Sequence, residues 1–232
     1  MQAPDFGRNH ITVCVGGMIL KICGITNAED ARTSVDAGAH ALGFIFVPGT
    51  PRYIEPAVAA RIVETLPPFV TPVGVFWDHA PGLVKAIAQQ CRLGALQFHG
   101  DEPPEAVTGH EVPTIKTIKV AGPESVAGLE RYEVSAFLLD SAARWSTGEA
   151  RTPISWELAG QLSAERTILL AAGLTPDNVE AAIRVARPWG VDVNSGVEAR
   201  PGRKDPEKVR RFIANAFAAG ASLGDGSNGR AR

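Results

Sequence analysis

The stretch Leu20-Lys21-Ile22-Cys23-Gly24-Ile25-Thr26 predicts the first unit of the fold and places a thiol within it. Residues 18–22 are mostly apolar, which is typical of a strand that is buried on both faces. Gly24 ends this strand, and Thr26-Asn27 offers an N-cap to a helix with acidic residues in its first turn. Cys23 is therefore expected at the carboxyl end of the first strand, where parallel α/β folds bind their ligands.

The same alternation of apolar strand and helix continues along the chain. Seven more strands are predicted, at residues 41–47, 70–76, 95–98, 114–119, 135–139, 167–171 and 191–193. Helices are predicted at residues 27–37, 56–66, 81–90, 124–131 and 156–162, from residue 176 onward, and at 206–219. Strict alternation favours a parallel sheet, and eight units favour closure into a single (β/α)8 TIM barrel. A doubly wound open sheet is the alternative, although no GxGxxG dinucleotide fingerprint follows the first strand.

Length and composition limit the possible classes of protein. The chain has 232 residues, of which 45% are hydrophobic, so it can bury a large core as one domain. A net charge of -2 gives no electrostatic reason to expect nucleic acid or an anionic membrane as partner. No apolar run approaches the roughly 18 residues of a membrane span. The three cysteines, Cys14, Cys23 and Cys91, lack paired or metal-type spacing, which indicates a reduced, cytoplasmic protein.

The barrel is predicted to occupy residues 18–220. Residues 1–17 are expected to be a flexible N-terminal extension, since their brief apolar patch is a poor match to a signal peptide. Residues 221–232 are rich in Gly, Ser and Arg and are expected to form a disordered tail. Residues 141–153 are polar and without periodicity, so they are predicted to be a long loop of the lid or binding type.

Residues with functional side chains or glycine-rich turns follow the predicted strands, and closure of the barrel would bring them to one rim. They are Cys23, Arg52, Asp78, His99, Asp140, Gly173 and Ser195-Gly196. The set offers a thiol, carboxyl groups, a guanidinium and two glycine-containing turns, and no metal-binding pattern. For Cys23 a small core residue is the alternative interpretation, because free cysteine is among the most buried side chains.

Two turns, at Gly173 and at Asn194-Ser195-Gly196, follow strands seven and eight. Loops at these places form the usual phosphate site of the barrel, although the glycines could also serve the turns alone. Asp140 ends an apolar strand, where desolvation raises a carboxyl pKa and suits a general acid; a capping role is equally open. Arg52 could bind a carboxylate, but the sequence alone favours a solvated surface position. His99 is expected to support another site residue or to pack against its neighbours, and not to be the main acid–base group.

Seven segments of the chain, spread over about residues 18–219, match motifs of one enzyme family. They are KICGIT (21–26), GFIFVPGTPRYI (43–54), VGVF (73–76), LQFHGDE (96–102), LLDS (138–141), AGLTPDNV (172–179) and DVNSGVEARPGRKD (192–205). The first and last are the most specific when they occur together. On these segments the chain resembles the phosphoribosylanthranilate isomerases of tryptophan biosynthesis.

The resemblance implies a (β/α)8 barrel that catalyses the Amadori rearrangement of N-(5-phosphoribosyl)anthranilate to the 1-deoxyribulose 5-phosphate product, with no cofactor or metal. It implies the following roles: Cys23 as general base, Asp140 as general acid, Arg52 as ligand of the anthranilate carboxylate, Gly173, Asn194, Ser195 and Gly196 as phosphate ligands, and His99 and Asp192 as supporting residues. The expected partner is a small phosphorylated substrate, and the expected assembly is a monomer or a homodimer.

Two departures from the family pattern lie in loops. The loop after strand six has Ser146-Thr147-Gly148 where a GGTG-like turn is usual, which leaves the form of this loop open. The turn after strand seven has Ala172-Gly173 in place of a Gly-Gly pair. The alanine methyl group could crowd the phosphate, or it is tolerated because only Gly173 needs the unusual torsion angles.

Two other functions compete with this one. The first is that of a related barrel isomerase acting on the histidine-pathway aminoimidazole substrate, or on both substrates; such bifunctional barrels usually carry a catalytic Asp at the end of strand one, so Cys23 disfavours this function. A barrel that only binds phosphorylated ligands needs neither Cys23 nor Asp140. One question stays open, because a thiol of ordinary pKa, about 8.5, needs stabilisation to act as a base at neutral pH. Lys21 is expected on the same strand face as Cys23.

Overall fold

The structure is a computed structural model that describes residues 18–141 and 154–224. Its parallel strands are β1 Ile19–Ile22, β2 Ala41–Ile45, β3 Thr71–Phe76, β4 Ala95–Phe98, β5 Thr114–Val120, β6 Ala136–Ser141, β7 Ile168–Leu170 and β8 Gly190–Val193. Each strand pairs with the next, and β8 pairs with β1 to close the barrel. The predicted (β/α)8 TIM barrel is confirmed, and the open sheet is excluded. The predicted extension at residues 1–17 and nearly all of the predicted loop lie outside the described residues.

Helices follow the strands around the barrel. They are α1 Ala28–Ala37, α2 Pro56–Val63, α3 Pro81–Gln90, α4 Pro104–Val107, α5 Trp156–Ser163, α6 Val179–Ala186 and α7 Pro206–Gly224. Two short 3-10 helices, Pro123–Val126 and Leu129–Arg131, stand between β5 and β6. The continuous helix predicted at residues 124–131 is therefore wrong. Gly128, with a φ of 81°, turns the chain between the two pieces.

The starts of two helices show where capping signals in the sequence predict a helix boundary correctly and where they do not. Asn27 caps α1 as predicted, since its side-chain oxygen accepts the N–H of Asp30 at 2.9 Å. The predicted start of the sixth helix at residue 176 is wrong, because α6 begins at Val179. There the side-chain oxygen of Asn178 accepts the N–H of Thr175 at 2.8 Å, which holds a turn in place of the first helical residues.

The closing helix α7 runs through Gly224, so residues 221–224 are helical where the disordered tail was expected to begin. Leu223 packs partly buried against the core, which extends the helix beyond its predicted end. Residues 225–232 lie outside the described part of the chain. Neither α7 nor any other described helix combines the length and apolar character that crossing a membrane requires.

Apolar side chains fill both sides of the sheet, in separate outer and inner clusters. Leu20 and Ile22 belong to the large cluster between strands and helices. Ala41, Val73 and Ala95, near the starts of their strands, belong to the separate inner cluster. Because side chains alternate along a strand, Lys21 and Cys23 point to the opposite side from Leu20 and Ile22. Polar groups are thus gathered toward the carboxyl ends of the strands.

A buried ion pair joins the carboxyl ends of β3 and β4 to the interior of β5. The ammonium of Lys116 lies 2.6 Å from the carboxylate of Glu102, and both side chains are 4% exposed. Glu102 also accepts the N–H groups of Asp78 at 2.9 Å and Gly100 at 3.1 Å. Lys116 donates to the carbonyl oxygen of Gly100 at 2.7 Å. The pair therefore fixes the turn that follows His99.

Replacement of the buried carboxylate tests this role. Glu102→Gln leaves the Lys116 ammonium buried without its counter-ion, so the free energy of unfolding should fall by about 3–5 kcal/mol. Asp101→Asn is the matched control, since the Lys119–Asp101 pair is exposed and should contribute at most about 1 kcal/mol. Urea unfolding of both variants measures the difference. Equal losses would contradict the role of the buried pair.

Candidate active site

Cys23 follows β1 directly and is held at the seam where the barrel closes. Its side chain is buried, and its N–H donates to the carbonyl oxygen of Val193 on β8 at 2.8 Å. The next residue, Gly24, has a φ of 73°, and a Cβ there would lie 2.6 Å from the side-chain oxygen of Asn194. Only glycine combines this torsion with so close an approach. The thiol is therefore fixed beside the loop that follows β8.

A buried ion pair lies beside the thiol. The ammonium of Lys21, fully buried, donates to the carboxylate of Asp192 at 2.8 Å, and the two residues face each other in the β1–β8 register. The thiol of Cys23, two residues further along the chain, lies close to this ammonium, and the charge of Lys21 acts on it. On β2, a Cβ at Gly43 would lie 2.7 Å from the Cys23 sulfur and 3.1 Å from the Lys21 nitrogen. Gly43 thus leaves the space in which the two groups meet.

The charges of this cluster set its protonation. Burial raises the pKa of the Cys23 thiol, and the positive charge of Lys21 opposes that rise. Burial alone would lower the pKa of Lys21, but the carboxylate of Asp192 and its contact with Cys23 outweigh burial and raise it. The resting cluster therefore holds a charged ammonium next to a neutral thiol at pH 7.

Asp140 ends β6 and is buried. One of its carboxyl oxygens accepts the N–H of Ser141 at 2.8 Å, and the other lies 3.6 Å from Nε2 of His99. The amide nitrogen of Gln97 lies 3.3 Å from Nδ1 of His99, and the ring of Trp77 stacks on the imidazole. With Gln97 as donor, the neutral imidazole carries its proton on Nε2, toward Asp140.

The loops after β7 and β8 pack against each other. Ala172 has a φ of 66° and Gly173 a φ of 74°, so both residues use the left-handed region. The explanation that only Gly173 needs unusual torsion angles is therefore wrong, and Ala172 bears a strain of about 1–2 kcal/mol that glycine would not. A Cβ at Gly196 would overlap the carbonyl oxygen of Leu174, which shows how closely the two loops approach.

Arg52 is held by a carboxylate and is not a solvated surface residue. Its Nε and Nη2 donate to the two oxygens of Glu198 at 2.9 Å and 2.7 Å, and its side chain is 14% exposed. Glu198 also accepts the N–H of Gly202 at 3.2 Å and the ammonium of Lys204 at 3.3 Å. Lys204 in turn donates to the side-chain oxygen of Asn194 at 3.0 Å. This network connects Arg52 to the loop after β8.

Glu198 is the negative centre of that network. Burial alone would raise the pKa of Glu198, but hydrogen bonds from Arg52 and the charge of Lys204 hold it below its ordinary value. Burial lowers the pKa of Lys204, and the charge of Glu198 opposes this change. The carboxylate therefore stays charged and keeps the guanidinium in one orientation.

One cavity collects nearly all of the residues predicted for the site. It is lined by Cys23, His99, Asp140, Gly173, Asp192, Asn194, Ser195 and Gly196. Arg52 is not part of this lining; its Cδ lies 3.2 Å from the position that a Cβ of Gly24 would take. The predicted base, acid and phosphate loops therefore share one space, and the predicted carboxylate ligand lies beside it.

Gln97, Glu198 and Lys204 were missed by the sequence analysis. Gln97 also lines the cavity, and its place on β4 two residues before His99 was a usable signal, because such residues share a strand face. Glu198 and Lys204 belong to a small antiparallel hairpin, β9 Glu198–Arg200 and β10 Arg203–Lys204. Strands this short give no periodic pattern in the sequence.

The arrangement can move protons on a small anionic ligand. A thiol directly after β1 and a carboxyl group on β6 face one cavity whose rim carries two loops of the phosphate-binding type. An acid and a base placed on separate walls can protonate one atom of a ligand and deprotonate another. The geometry therefore suits an isomerisation or a ring opening of a phosphorylated compound.

Comparisons with known proteins agree with this chemistry. The family model "N-(5'phosphoribosyl)anthranilate (PRA) isomerase" matches residues 20–215. The chain is 48% identical over 198 residues to N-(5'-phosphoribosyl)anthranilate isomerase of Trichlorobacter lovleyi, covering 85% of this chain and 97% of the relative. It is 50% identical over 198 residues to that of Desulforudis audaxviator, covering 84% and 96%.

Solved structures give the same result. The phosphoribosyl anthranilate isomerase of Thermotoga maritima superposes with a TM-score of 0.79 at 40% identity, over 87% of this chain and 99% of that one. A phosphoribosyl anthranilate isomerase in complex with reduced 1-(o-carboxyphenylamino)-1-deoxyribulose 5-phosphate has a TM-score of 0.76 at 40% identity, with the same coverage. With the matched family model and these relatives, the chain belongs to the N-(5'-phosphoribosyl)anthranilate isomerase family.

Proposed function

We propose that Cys23 is the general base and Asp140 the general acid of the reaction that this chain catalyses. As a member of its family, the chain converts N-(5'-phosphoribosyl)anthranilate to 1-(o-carboxyphenylamino)-1-deoxyribulose 5-phosphate in tryptophan biosynthesis. The observation that carries the assignment is the meeting of a buried thiol and a buried carboxyl group in one cavity. The two residues sit on different walls, as two proton transfers at different substrate atoms require.

The first step is ring opening at the acid. Asp140 in its protonated form gives a proton to the furanose ring oxygen, the bond from this oxygen to C1′ breaks, and a protonated Schiff base forms. The carboxylate that remains accepts a hydrogen bond from the N–H of Ser141. Nε2 of His99 lies 3.6 Å from the second oxygen, and an N–H there would favour the negative charge that the step creates.

The second step is proton removal at the base. The thiol of Cys23 must first release its proton to solvent. As thiolate it takes the proton from C2′ and becomes a thiol again, and the electron pair of that C–H bond neutralises the adjacent iminium to give an enolamine. Tautomerisation of the enolamine then gives the ketone. The positive charge of the Schiff base acidifies the C2′ proton, so a thiolate is a sufficient base.

The two ends of the substrate are held by different parts of the rim. Gly173, Asn194, Ser195 and Gly196 bind the phosphate, chiefly through backbone N–H groups of the packed loops after β7 and β8. Arg52 binds the anthranilate carboxylate with the N–H donors that Glu198 does not take. His99 supports the acid and Asp192 supports the lysine next to the base.

The proposal extends to the partners and the location of the protein. The small phosphorylated substrate is the expected partner, and a structure of a family member holds a reduced product analogue. The assembly is a monomer or a homodimer; the relative from Thermotoga maritima is dimeric. A cytoplasmic location accords with an enzyme of amino-acid biosynthesis.

Substitution of each proton-transferring group tests the assignment. Cys23→Ala and Asp140→Asn each remove one proton transfer, so kcat should fall by at least about 100-fold. The loss of anthranilate fluorescence on addition of fresh substrate follows the reaction. Cys91→Ala is the matched control, because Cys91 is also buried but its thiol donates to the carbonyl oxygen of Pro56 and does not line the cavity, so kcat should stay unchanged. Near-normal turnover of either site variant would overturn its role.

The role of Arg52 is tested by comparing the change in KM with the change in kcat. Arg52→Ala removes a charge-assisted contact with the substrate carboxylate, which should raise KM by about 10-fold or more and change kcat less. Arg203→Ala is the control, since Arg203 pairs at the surface with Glu29. Initial rates over a range of substrate concentrations measure both constants. An unchanged KM in Arg52→Ala would refute the carboxylate contact.

Phosphate binding by the loops after β7 and β8 is tested with a substitution that disturbs their close packing. Gly196→Ala places a methyl group against the carbonyl oxygen of Leu174 and should push the two loops apart. Loss of about one charge-assisted hydrogen bond would weaken competitive inhibition by inorganic phosphate about 10-fold. Gly82→Ala is the control, because a Cβ there meets open space. Equal inhibition constants for both variants would place the phosphate elsewhere.

A further inference from the structure

Lys21 is a buried charge for which the proton transfers proposed above assign no role. It lies inside the closed seam of the barrel with no exposed surface, paired to Asp192 at 2.8 Å. Such a pair contributes little to stability, because the cost of removing both charges from water offsets their attraction. Apolar residues of similar size would serve the core as well. The pair therefore indicates a function other than stability.

The thiol of Cys23 lies beside Lys21. The two residues are two positions apart, so their side chains point to the same side of the sheet, and the place of a Cβ at Gly43 is 2.7 Å from the sulfur and 3.1 Å from the Lys21 nitrogen. Gly43 on the neighbouring strand leaves the space between the sulfur and the ammonium free of a side chain. A larger residue on β2 would separate them.

Charged groups reach Cys23 from several elements of the fold. Lys21 comes from β1, Asp192 from β8 and Lys204 from β10, whereas β2 and β3 present Gly43, Ile45 and Val75. His99 and Asp140 line the same cavity. Burial and Asp192 disfavour a negative sulfur, and the two lysines favour it, with Lys21 exerting the larger effect. Lys204 is committed to Glu198 and Asn194, so Lys21 is the cation placed to serve the sulfur.

We infer that Lys21 is the positioning residue of the base: its ammonium, oriented by Asp192, donates a hydrogen bond to the Cys23 sulfur and is the counter-ion of the thiolate. The inference rests on the proposed role of Cys23. During the second step the thiolate gains the C2′ proton and becomes a thiol, while Lys21 keeps its protons throughout. Lys21 thus acts on the substrate only through the sulfur that it stabilises.

The test measures the thiol without the substrate. The rate at which iodoacetamide alkylates Cys23, followed by mass spectrometry, rises with pH as the thiolate forms. Lys21→Met keeps the length of the side chain and removes its charge, so the midpoint of this profile should move upward by about 1–3 pH units. The pH profile of kcat should move in the same direction.

Two further variants complete the experiment. Gly43→Ala puts a methyl group between the sulfur and the ammonium without changing any charge, and should also move the midpoint upward. Lys116→Met removes a different buried ammonium, paired with Glu102, and should lower stability while the profile of Cys23 stays in place. It is therefore the control for a merely structural effect.

The outcomes separate this inference from the proposed function. An unmoved alkylation profile in both Lys21→Met and Gly43→Ala would overturn the role of Lys21, even if the enzyme remained active. The expected shift would support the lysine–thiolate pair. Normal turnover of Cys23→Ala, by contrast, would refute the role of Cys23 as general base. The alkylation profiles would still show whether Lys21 stabilises the thiolate.

Discussion

Closure of the barrel between β1 and β8 is the constraint on which the site depends. The register of this seam sets Lys21 opposite Asp192, and one step further the N–H of Cys23 bonds the carbonyl oxygen of Val193. The thiol and the loop after β8 are therefore placed by the same ladder of hydrogen bonds. A slip of one residue would turn Cys23 out of the cavity, because neighbouring side chains point to opposite faces of the sheet. Fold and site are thus determined together at this seam.

Three groups of buried or largely buried charges at the rim each combine ions of opposite sign. Asp192 holds Lys21, Glu198 holds Arg52 and Lys204, and Glu102 holds Lys116. Removal of one partner from such a pair lowers the free energy of unfolding far more than the intact pair raises it. Each ion therefore keeps its neighbour in place. These pairs hold the rim in one arrangement at the places where the proposed function needs donors for a phosphate and a carboxylate. Pre-organised donors of this kind need little rearrangement when the substrate binds.

The sequence predicted those features that depend on short-range patterns and on strand order. Eight apolar runs alternating with helices were enough for the barrel, and parallel strands necessarily gather residues such as Cys23 and Asp140 at one rim. Contacts between distant segments were not predictable. The hairpin that carries Glu198 and Lys204 consists of strands too short for a pattern, and its contact with Arg52 spans 146 residues. The torsion angle of Ala172 also eluded prediction, because nothing in its residue type indicates a positive φ.

A thiol is a suitable base for a cavity of this kind because its resting form is neutral. A buried carboxylate would have to be compensated at all times, whereas a thiol costs little to bury and acquires its charge only when needed. The ammonium of Lys21 is already balanced by Asp192, so the proposed lysine–thiolate pair would leave no unpaired cation in the resting state. In the proposed mechanism the protonated Schiff base brings a second positive charge to the thiolate. Proton transfer from C2′ would then neutralise both the iminium and the thiolate and return the cluster to its resting charge.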